Sequence, residues 1–151
     1  MLGSEIEVLL YKDLKLKEQF RGVYASNTLP FFLRHGQTHA IVVNLDKSSQ
    51  PGSHWCAIFI LSNGFCVYFD PLGFPPFIPS IMTFLENNSI HCQWNAMNIQ
   101  SLTSYTCGFY VIFFLRKMVR GMSLREFQGY FRHYNHHYND SLVCQLYNKK
   151  F

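Results

Sequence analysis

The first part of the chain carries patterns of apolar and polar positions that predict one helix and one strand. Residues 4–16 open with the capping pair Ser4 and Glu7 and continue with leucines at helical intervals, which predicts an amphipathic helix. Residues 40–45 are rich in β-branched side chains and predict a strand. The polar residues 46–53 that follow have the composition of a loop.

A β-hairpin is predicted after this loop. Two apolar runs, residues 54–61 and 65–70, flank the polar triplet Ser62-Asn63-Gly64. Asn-Gly between two apolar runs signals a hairpin because both residue types tolerate positive φ. The first residue of one run and the last residue of the other should therefore lie at the same open end of an antiparallel pair.

The middle of the chain predicts a mixture of elements. The Pro-rich residues 71–79 are predicted to be irregular, residues 78–86 to form a short helix, and residues 91–98 to form another strand. Residues 107–120 are apolar on nearly every face until basic residues appear at their end. With Gly121 as a stop, they predict a buried helix with a basic last turn.

The last part of the chain predicts a further helix. It begins with a second capping pair, Ser123 and Glu126, and its apolar positions run to Phe131. Residues 142–147 predict one last turn or strand. The chain shows no internal repeat and no linker, so we predict a single domain over residues 1–151.

Composition and charge narrow the class of protein. Hydrophobic residues make up 48% of the chain and charged residues 15%, a balance opposite to that of disordered chains and sufficient for a large core. The net charge of +4 attracts a polyanion weakly and in a salt-dependent manner. Composition therefore permits DNA binding without indicating it.

The cysteines and the apolar runs indicate the setting of the protein. Its five cysteines have no CxxC spacing, and acidic residues near the N-terminus argue against a secretory signal. We expect a reducing intracellular setting and a protein that is not secreted. The longest strongly apolar run, residues 109–115, is far shorter than the about 20 residues that cross a bilayer, so we expect no membrane association.

Cys107 is the first candidate for chemistry because it begins the predicted buried helix. A helix N-terminus stabilises a thiolate through its unpaired N–H groups and the helix dipole. Gly108 adds no side chain beside it and leaves its backbone amide open to an oxyanion. The alternative is that Cys107 is a small buried apolar residue, which is common for free cysteine.

Three polar residues complete a candidate site. His54 and Asp70 fall at the open end of the predicted hairpin, where a hydrogen bond between them would fix the imidazole tautomer. Gln100, before the polar loop that leads to Cys107, could donate to an oxyanion. Taken singly, Asp70 could merely begin a turn and Gln100 could be a surface residue; the conjunction of the four favours a cysteine hydrolase.

Four stretches of the sequence resemble the catalytic blocks of a known protease family. They are Gly52-Ser53-His54-Trp55, Val67-Tyr68-Phe69-Asp70-Pro71-Leu72-Gly73-Phe74, Gln100, and Thr106-Cys107-Gly108-Phe109. Together they resemble the adenovirus maturation proteases, the adenain family of cysteine endopeptidases, and the step from Gln100 to Cys107 matches that family's spacing. Residues 5–24 and 124–146 are also similar, so the likeness covers nearly the whole chain.

The chain departs from the adenain pattern in its acidic residue and in its length, and also in the spacing of Cys92 described below. Asp70 stands where adenoviral enzymes have Glu, which is the pattern of the SUMO proteases in the same clan. A segment after Gly121 is also missing. We therefore expect a shorter, divergent viral homologue.

The resemblance implies a fold and a set of roles. The fold is α+β, a mixed central sheet with helices on both sides and the nucleophile at the N-terminus of a buried helix. Cys107 is then the nucleophile, His54 its base, Asp70 the orienting acid, and Gln100 an oxyanion donor together with the Cys107 and Gly108 backbone. The candidate substrate-groove residues are Gly52, Ser53 and Trp55.

The resemblance also implies substrates and partners. Virion precursor proteins would be cleaved at small-residue or Gly-containing sites, in the virion and the host-cell nucleus. No cofactor is needed for the chemistry, although a short viral peptide and DNA activate the family. Cys92 is the candidate for attachment of that peptide, but its spacing to Gln100 differs from the family's.

Other functions stay open from the sequence. A deconjugase for a ubiquitin-like modifier or an acyltransferase would use the same residues, whereas a capsid- or DNA-binding protein would not need them. His133, His136 and His137 have helical spacing, but lacking cysteine or carboxylate partners they favour a polar helix face over a metal site. The basic residues could bind DNA or form solvated helix surfaces: Arg116, Lys117, Arg120, Arg125, Arg132, Lys149 and Lys150.

Overall fold

A five-stranded mixed sheet forms the centre of the computed structural model, which describes residues 1–149. The strands are β1 (Phe20–Tyr24), β2 (His39–Asn44), β3 (Trp55–Ile60), β4 (Phe65–Phe69) and β5 (His91–Trp94). The helices are α1 (Gly3–Tyr11), α2 (Pro79–Asn88), α3 (Cys107–Val119), α4 (Leu124–Gln128) and α5 (His136–Asn148). The strands lie in sequence order, with β1–β2 and β4–β5 parallel and the inner pairs antiparallel.

Helices cover both faces of the sheet. Along β2, Ala40 and Val42 point into one apolar cluster, which α1, α3, α4 and α5 complete. Ile41 and Val43 point into a second cluster, which α2 covers. Strands buried on both faces are mostly apolar, which explains the continuous apolar run at residues 40–43. The predicted α+β class with a mixed sheet is confirmed.

An aromatic cluster fixes the end of β4. The rings of Phe69 and Phe114 stack with centroids 4.4 Å apart, and Phe127 meets each of them edge-on at 5.3 Å. Such geometries add to the stabilisation that burial alone provides. Because Asp70 directly follows Phe69, this packing sets the position from which its carboxylate reaches the site.

The predicted hairpin is confirmed. Its strands pair from Ala57 opposite Phe69 to Ile60 opposite Cys66. Only Gly64 in its turn has a positive φ, +91°. The turn therefore needs the conformational freedom of a single glycine rather than of both residues in Asn-Gly.

The start of the first helix differs from the prediction. Leu2 precedes α1, and its N–H donates to the carboxylate of Glu5 at 2.6 Å. The predicted pair Ser4 and Glu7 is therefore not the cap. Glu5 lies in the first turn, where its negative charge also interacts favourably with the helix dipole. It therefore caps α1, although the residue at the cap position, Leu2, has no polar side chain.

The end of α1 also differs, since it stops at Tyr11 rather than at Leu16. The Asp13 carboxylate accepts from the N–H groups of Lys15 and Leu16, which folds the chain into turns. Leu16 stays fully buried in such a turn. The chain then enters β1, a strand that the sequence did not predict.

Later elements are displaced from their predicted bounds. β5 ends at Trp94 instead of continuing to residue 98, and α2 ends at Asn88. The Ser123 cap is confirmed, because its hydroxyl accepts from the Glu126 N–H at 3.1 Å, but α4 stops before Phe131. α5 is far longer than the turn predicted at residues 142–147.

The buried helix α3 matches its prediction. It begins at Cys107, carries Arg116 and Lys117 in its last turn, and is followed by Gly121 with φ +88°. Within residues 1–149, no helix combines the length and apolarity needed to span a membrane.

Candidate active site

The open end of the β3–β4 hairpin brings His54 and Asp70 together. His54 Nε2 lies 2.6 Å from Asp70 Oδ1, and both side chains are buried. The same Asp70 oxygen accepts from the N–H of Leu72 at 2.8 Å, which holds the carboxylate in place. Since Nε2 faces Asp70, Nδ1 is the ring nitrogen that remains for a further partner.

Cys107 provides that partner from the first residue of α3. Its thiol lies beside the His54 imidazole and near the backbone N–H groups of Trp55 and Gly108, all of which interact with it. The residue is only 8% exposed, so the sulfur lies on the floor of a cavity rather than on the surface. The structure thus places Cys107 next to the hydrogen-bonded pair of His54 and Asp70.

The electrostatics of this chain favour a charged pair. Burial alone would lower the pKa of His54, but hydrogen bonds with Asp70, Cys107 and Cys56 outweigh it and raise the pKa to about 12. Burial alone would raise the pKa of Cys107, but the His54 hydrogen bond and the Trp55 N–H lower it below the usual 9.0. These shifts favour ionisation of the Cys107 thiol beside a protonated His54.

Gln100 lies at the same cavity and is 2% exposed. Its Nε2 donates to the carbonyl oxygen of Ser104 at 3.1 Å, which fixes the side-chain amide. An amide nitrogen carries two hydrogens, so one stays available to an oxyanion. The backbone N–H groups of Cys107 and Gly108 belong to the first turn of α3, where helical N–H groups have no intrahelical acceptor.

A cavity of about 410 Å³ opens above the thiol, and the predicted groove residues Gly52, Ser53 and Trp55 all line it. Gly52 has φ +91°, and a side-chain carbon there would lie 3.0 Å from Asn44 Nδ2. The backbone conformation thus favours glycine, and a side chain there would also require Asn44 to shift slightly. The Trp55 indole donates to the Met1 carbonyl at 3.1 Å, which fixes one wall of the cavity.

Comparison with known proteins gives likeness in structure only. No protein-family model matches the chain, and no curated protein matches its sequence. The chain is similar to a crystal structure of the ASFV pS273R protease, with a TM-score of 0.62 and 16% identity over 91% of this chain and 64% of that one. A crystal structure of the selenomethionine form of that protease gives a TM-score of 0.52 and 22% identity over 68% of this chain and 42% of that one.

The chain has the fold of a viral protease. It spans 42% to 64% of the length of the two pS273R structures, so it corresponds to part of that protein. A weaker likeness, with a TM-score of 0.40 and 16% identity over 71% of this chain and 51% of that one, is to SUMO protease Ulp1 with its catalytic cysteine oxidised to a sulfonic acid. The resemblance to adenovirus proteases seen in the sequence stays a prediction.

Asn95 is a site residue that the sequence analysis missed. Its side-chain oxygen accepts from the Asp70 N–H at 2.9 Å, and its Nδ2 donates to the Asp70 carbonyl at 2.6 Å. Nδ2 also donates to the Met97 carbonyl at 3.0 Å. Asn95 therefore holds the backbone of Asp70 from the residue that follows β5.

Asp140, from α5, organises the loop before Cys107. Its Oδ1 accepts from the Tyr110 hydroxyl at 2.7 Å, the Thr106 hydroxyl at 3.1 Å and the Ser101 N–H at 3.4 Å. The sequence analysis placed no helix at this position and so missed the residue.

Asn139, the neighbour of Asp140, is fully buried and donates to the Ile99 carbonyl at 3.0 Å. It lies one helical turn before the buried Val143, but because Asn139 is polar this spacing leaves no apolar pattern in the sequence.

Metal-ligand residues meet only beside the thiol. Within residues 1–149, one group has ligand atoms all within 4.8 Å of one another: His54, Cys56 and Asp70. Two members of this group, His54 and Asp70, are already hydrogen bonded to each other. Burial raises the pKa of the third, Cys56, to about 11, which disfavours the thiolate that binds metal. We assign no metal there. His133 precedes α5, so the predicted helical face with His136 and His137 is not formed.

Proposed function

We propose that this protein is a cysteine endopeptidase in which Cys107 is the nucleophile, His54 the acid–base residue and Asp70 the group that orients His54. The observation that carries the proposal is the hydrogen-bonded pair of His54 and Asp70 next to the Cys107 thiol, with His54 and Cys107 lining an open cavity. A structural role for a buried His–Asp pair would not need an activated thiol beside it.

The proposed reaction follows from the geometry. The Cys107 thiolate attacks the carbonyl carbon of the scissile bond, and the oxyanion is held by Gln100 Nε2 and the backbone N–H groups of Cys107 and Gly108. The His54 imidazolium gives its proton to the departing amine, which leaves an acyl-enzyme. Neutral His54 then takes a proton from water and the hydroxide attacks the thioester, which releases the carboxylic acid and regenerates the Cys107 thiolate beside the His54 imidazolium.

The proposed substrates are viral precursor proteins cleaved at small-residue or Gly-containing sites. Support comes from the sequence resemblance and from the fold shared with a viral protease. By the same resemblance, we propose the virion and host-cell nucleus as its location, and DNA and a short viral peptide as activators. Each of these partners is open to direct test by adding it to the purified protein.

A second candidate function is removal of a ubiquitin-like modifier from lysine. Asp70 favours it, since aspartate is the acidic member of the SUMO-protease pattern. The two functions differ in substrate. Cleavage of a modifier–lysine conjugate with no cleavage of precursor peptides would favour the deconjugase.

Labelling of the thiol tests the proposal. A peptide vinyl sulfone ending in Gly-Gly or Gly-Ala should form an adduct that mass mapping assigns to Cys107 in the wild-type protein. The adduct should disappear in Cys107→Ala and form much more slowly in His54→Ala, because the thiolate is then no longer paired. Cys144→Ser, which removes a partly exposed thiol outside the site, is the matched control and should label normally.

The contrary result is equally clear. If no adduct forms, with or without added DNA or virion peptide, the protein is a non-catalytic relative of the fold. Salt-sensitive DNA binding together with an unreactive thiol would then favour a capsid- or DNA-binding protein.

A further inference from the structure

Cys66 and Cys92 form a pair of thiols away from the cavity. They are register partners on the neighbouring parallel strands β4 and β5, and their sulfur atoms lie 3.1 Å apart. Neighbouring strands are about 4.8 Å apart, within the Cα range that a disulfide spans. Closing the bond to about 2 Å thus needs a movement of roughly 1 Å and no change of register.

The two thiols differ in exposure and acidity. Cys66 is 2% exposed, whereas Cys92 is only partly buried on the edge strand β5. The hydrogen bond between them raises the pKa of Cys66, as burial also does, and lowers the pKa of Cys92. Cys92 therefore ionises first and is the sulfur that a reagent from solution reaches.

We propose that Cys66 and Cys92 form a reversible intramolecular disulfide in exchange with a low-molecular-weight disulfide such as oxidised glutathione. The Cys92 thiolate attacks the small disulfide and releases one thiolate, which leaves a mixed disulfide. Cys66 then loses its proton, attacks the Cys92 sulfur and releases the second small thiolate. Two protein thiols are oxidised, and one small disulfide is reduced to two thiols.

The bond joins the two strands that hold the acid of the site. β4 leads directly to Asp70, and β5 leads directly to Asn95, whose side chain holds the Asp70 backbone. A bond between Cys66 and Cys92 therefore keeps an edge strand from separating and taking Asn95 with it. The formation of this disulfide does not depend on the proposed function, whereas any effect of the disulfide on catalysis rests on that function.

Mass mapping tests the bond itself without protease activity. Cys107→Ala removes the most reactive thiol, and this protein is equilibrated with reduced and oxidised glutathione at graded ratios. The expected product is a Cys66–Cys92 linked peptide that has lost two hydrogens and returns to the dithiol when reductant is added. The linked peptide should vanish in Cys92→Ser and persist in Cys144→Ser, the matched control for a partly exposed thiol.

Two results would overturn the proposal. One is a lasting glutathione adduct on Cys92 with Cys66 free, which would make Cys92 an attachment point for an external thiol. The other is no Cys66–Cys92 linkage at ratios that modify Cys144.

The effect on the fold is measured on the oxidised and reduced forms. Backbone amide exchange of residues 91–97 should slow by about tenfold or more in the oxidised form, and the melting temperature should rise by roughly 5 °C or more. Unchanged exchange would contradict the strand-locking role. A disulfide that maps correctly in a protein whose Cys107 never labels would leave this role intact and reject the protease.

Discussion

At the residue scale, Asp70 is held more firmly than any other member of the site. Its Oδ1 accepts from His54 and from the Leu72 N–H, and both of its backbone groups are bonded to Asn95. A carboxylate fixed in this way presents one oxygen to the imidazole in one direction. The tautomer that leaves Nδ1 toward Cys107 is therefore built into the folded chain.

Asp70→Asn tests this orienting role. The amide keeps the size of the carboxylate and an oxygen for Leu72, but it lacks the charge that stabilises the His54 imidazolium. We expect kcat/KM on a peptide substrate, or the rate of vinyl sulfone labelling, to fall by about 10²–10⁴-fold. The control is Asp46→Asn, which changes another acid that lines the cavity and should have little effect. Equal small losses in the two variants would contradict the role.

The pH dependence of thiol reactivity follows from the shifted pKa values. Because the pKa of Cys107 is lowered, the midpoint of alkylation by iodoacetamide against pH should lie below 9.0, and the rate should decline as pH falls through the lowered pKa. His54, with a pKa of about 12, keeps its proton over that range, so no second decline should appear near neutrality. In His54→Ala the profile should move to higher pH, since burial then raises the pKa of the thiol. An unmoved profile would show that His54 does not activate Cys107.

Site residues that a local sequence pattern places could be predicted, whereas site residues whose partners lie far away along the chain could not. His54 and Asp70 could be placed together because a hairpin turn sets their register. Cys107 could be placed because a helix start is visible in the pattern. Asn95 could not, since its partner Asp70 lies on another strand and nothing local marks that pairing. Asp140 needs the docking of α5 on α3, which no pattern near it shows.

At the element scale, α5 holds the start of α3. Asp140 accepts from Thr106, which precedes α3, and from Tyr110 in its first turn. The loop between Gln100 and Cys107 therefore takes its shape from an element much later in the chain. The shape of this loop in turn affects the position of Cys107, the residue at which the loop ends.

Removing one or all of these contacts should cost different amounts. Tyr110→Phe deletes one hydroxyl, which also lies 3.1 Å from the Ile99 carbonyl, and should lower the free energy of unfolding by about 1 kcal/mol. Asp140→Ala leaves several buried donors unpaired and should cost about 2–4 kcal/mol. Chemical denaturation measures both. Tyr138→Phe alters a more exposed hydroxyl on α5 and serves as the control; similar costs for all three would refute the anchoring role.

The elements that the sequence missed have a common physical cause. β1 is short and pairs in parallel with β2, so no turn marks its partner. The long α5 begins among polar residues, where its buried face consists of Asn139 and Asp140 rather than apolar side chains. Apolar periodicity finds a helix only where burial selects apolar residues, and these two are buried for their hydrogen bonds.

At the scale of the whole molecule, some of the positively charged side chains are paired with other residues of the protein. Arg120 lies 2.9 Å and Arg116 3.6 Å from the carboxylate of Asp13. Burial would raise the pKa of Asp13, but its bond with Arg120 outweighs this and lowers it. The guanidinium of Arg132 lies 3.8 Å from the centre of the Tyr138 ring. These cations thus have structural partners, and Lys150 lies outside the described residues.

DNA binding should accordingly be weak. We expect a duplex to bind measurably at low salt and to dissociate near about 0.15 M salt, with a shallow slope of log K against log salt of about −1 to −3. Fluorescence anisotropy measures this. Arg125→Gln, which removes an exposed cation, should weaken binding by about the same factor for every DNA sequence tested. Tight binding at physiological salt would contradict this prediction and strengthen DNA as an activator.

The division of the site between the hairpin and α3 has a consequence for synthesis on the ribosome. His54 and Asp70 leave the exit tunnel together, whereas Cys107 emerges later, and α5 later still. A partly translated chain that already holds the acid and the base therefore has no activated sulfur. The Cys107 thiol can meet His54 only after α3 has been made and has docked on the sheet, so the complete site forms later than the hairpin that holds its other two members.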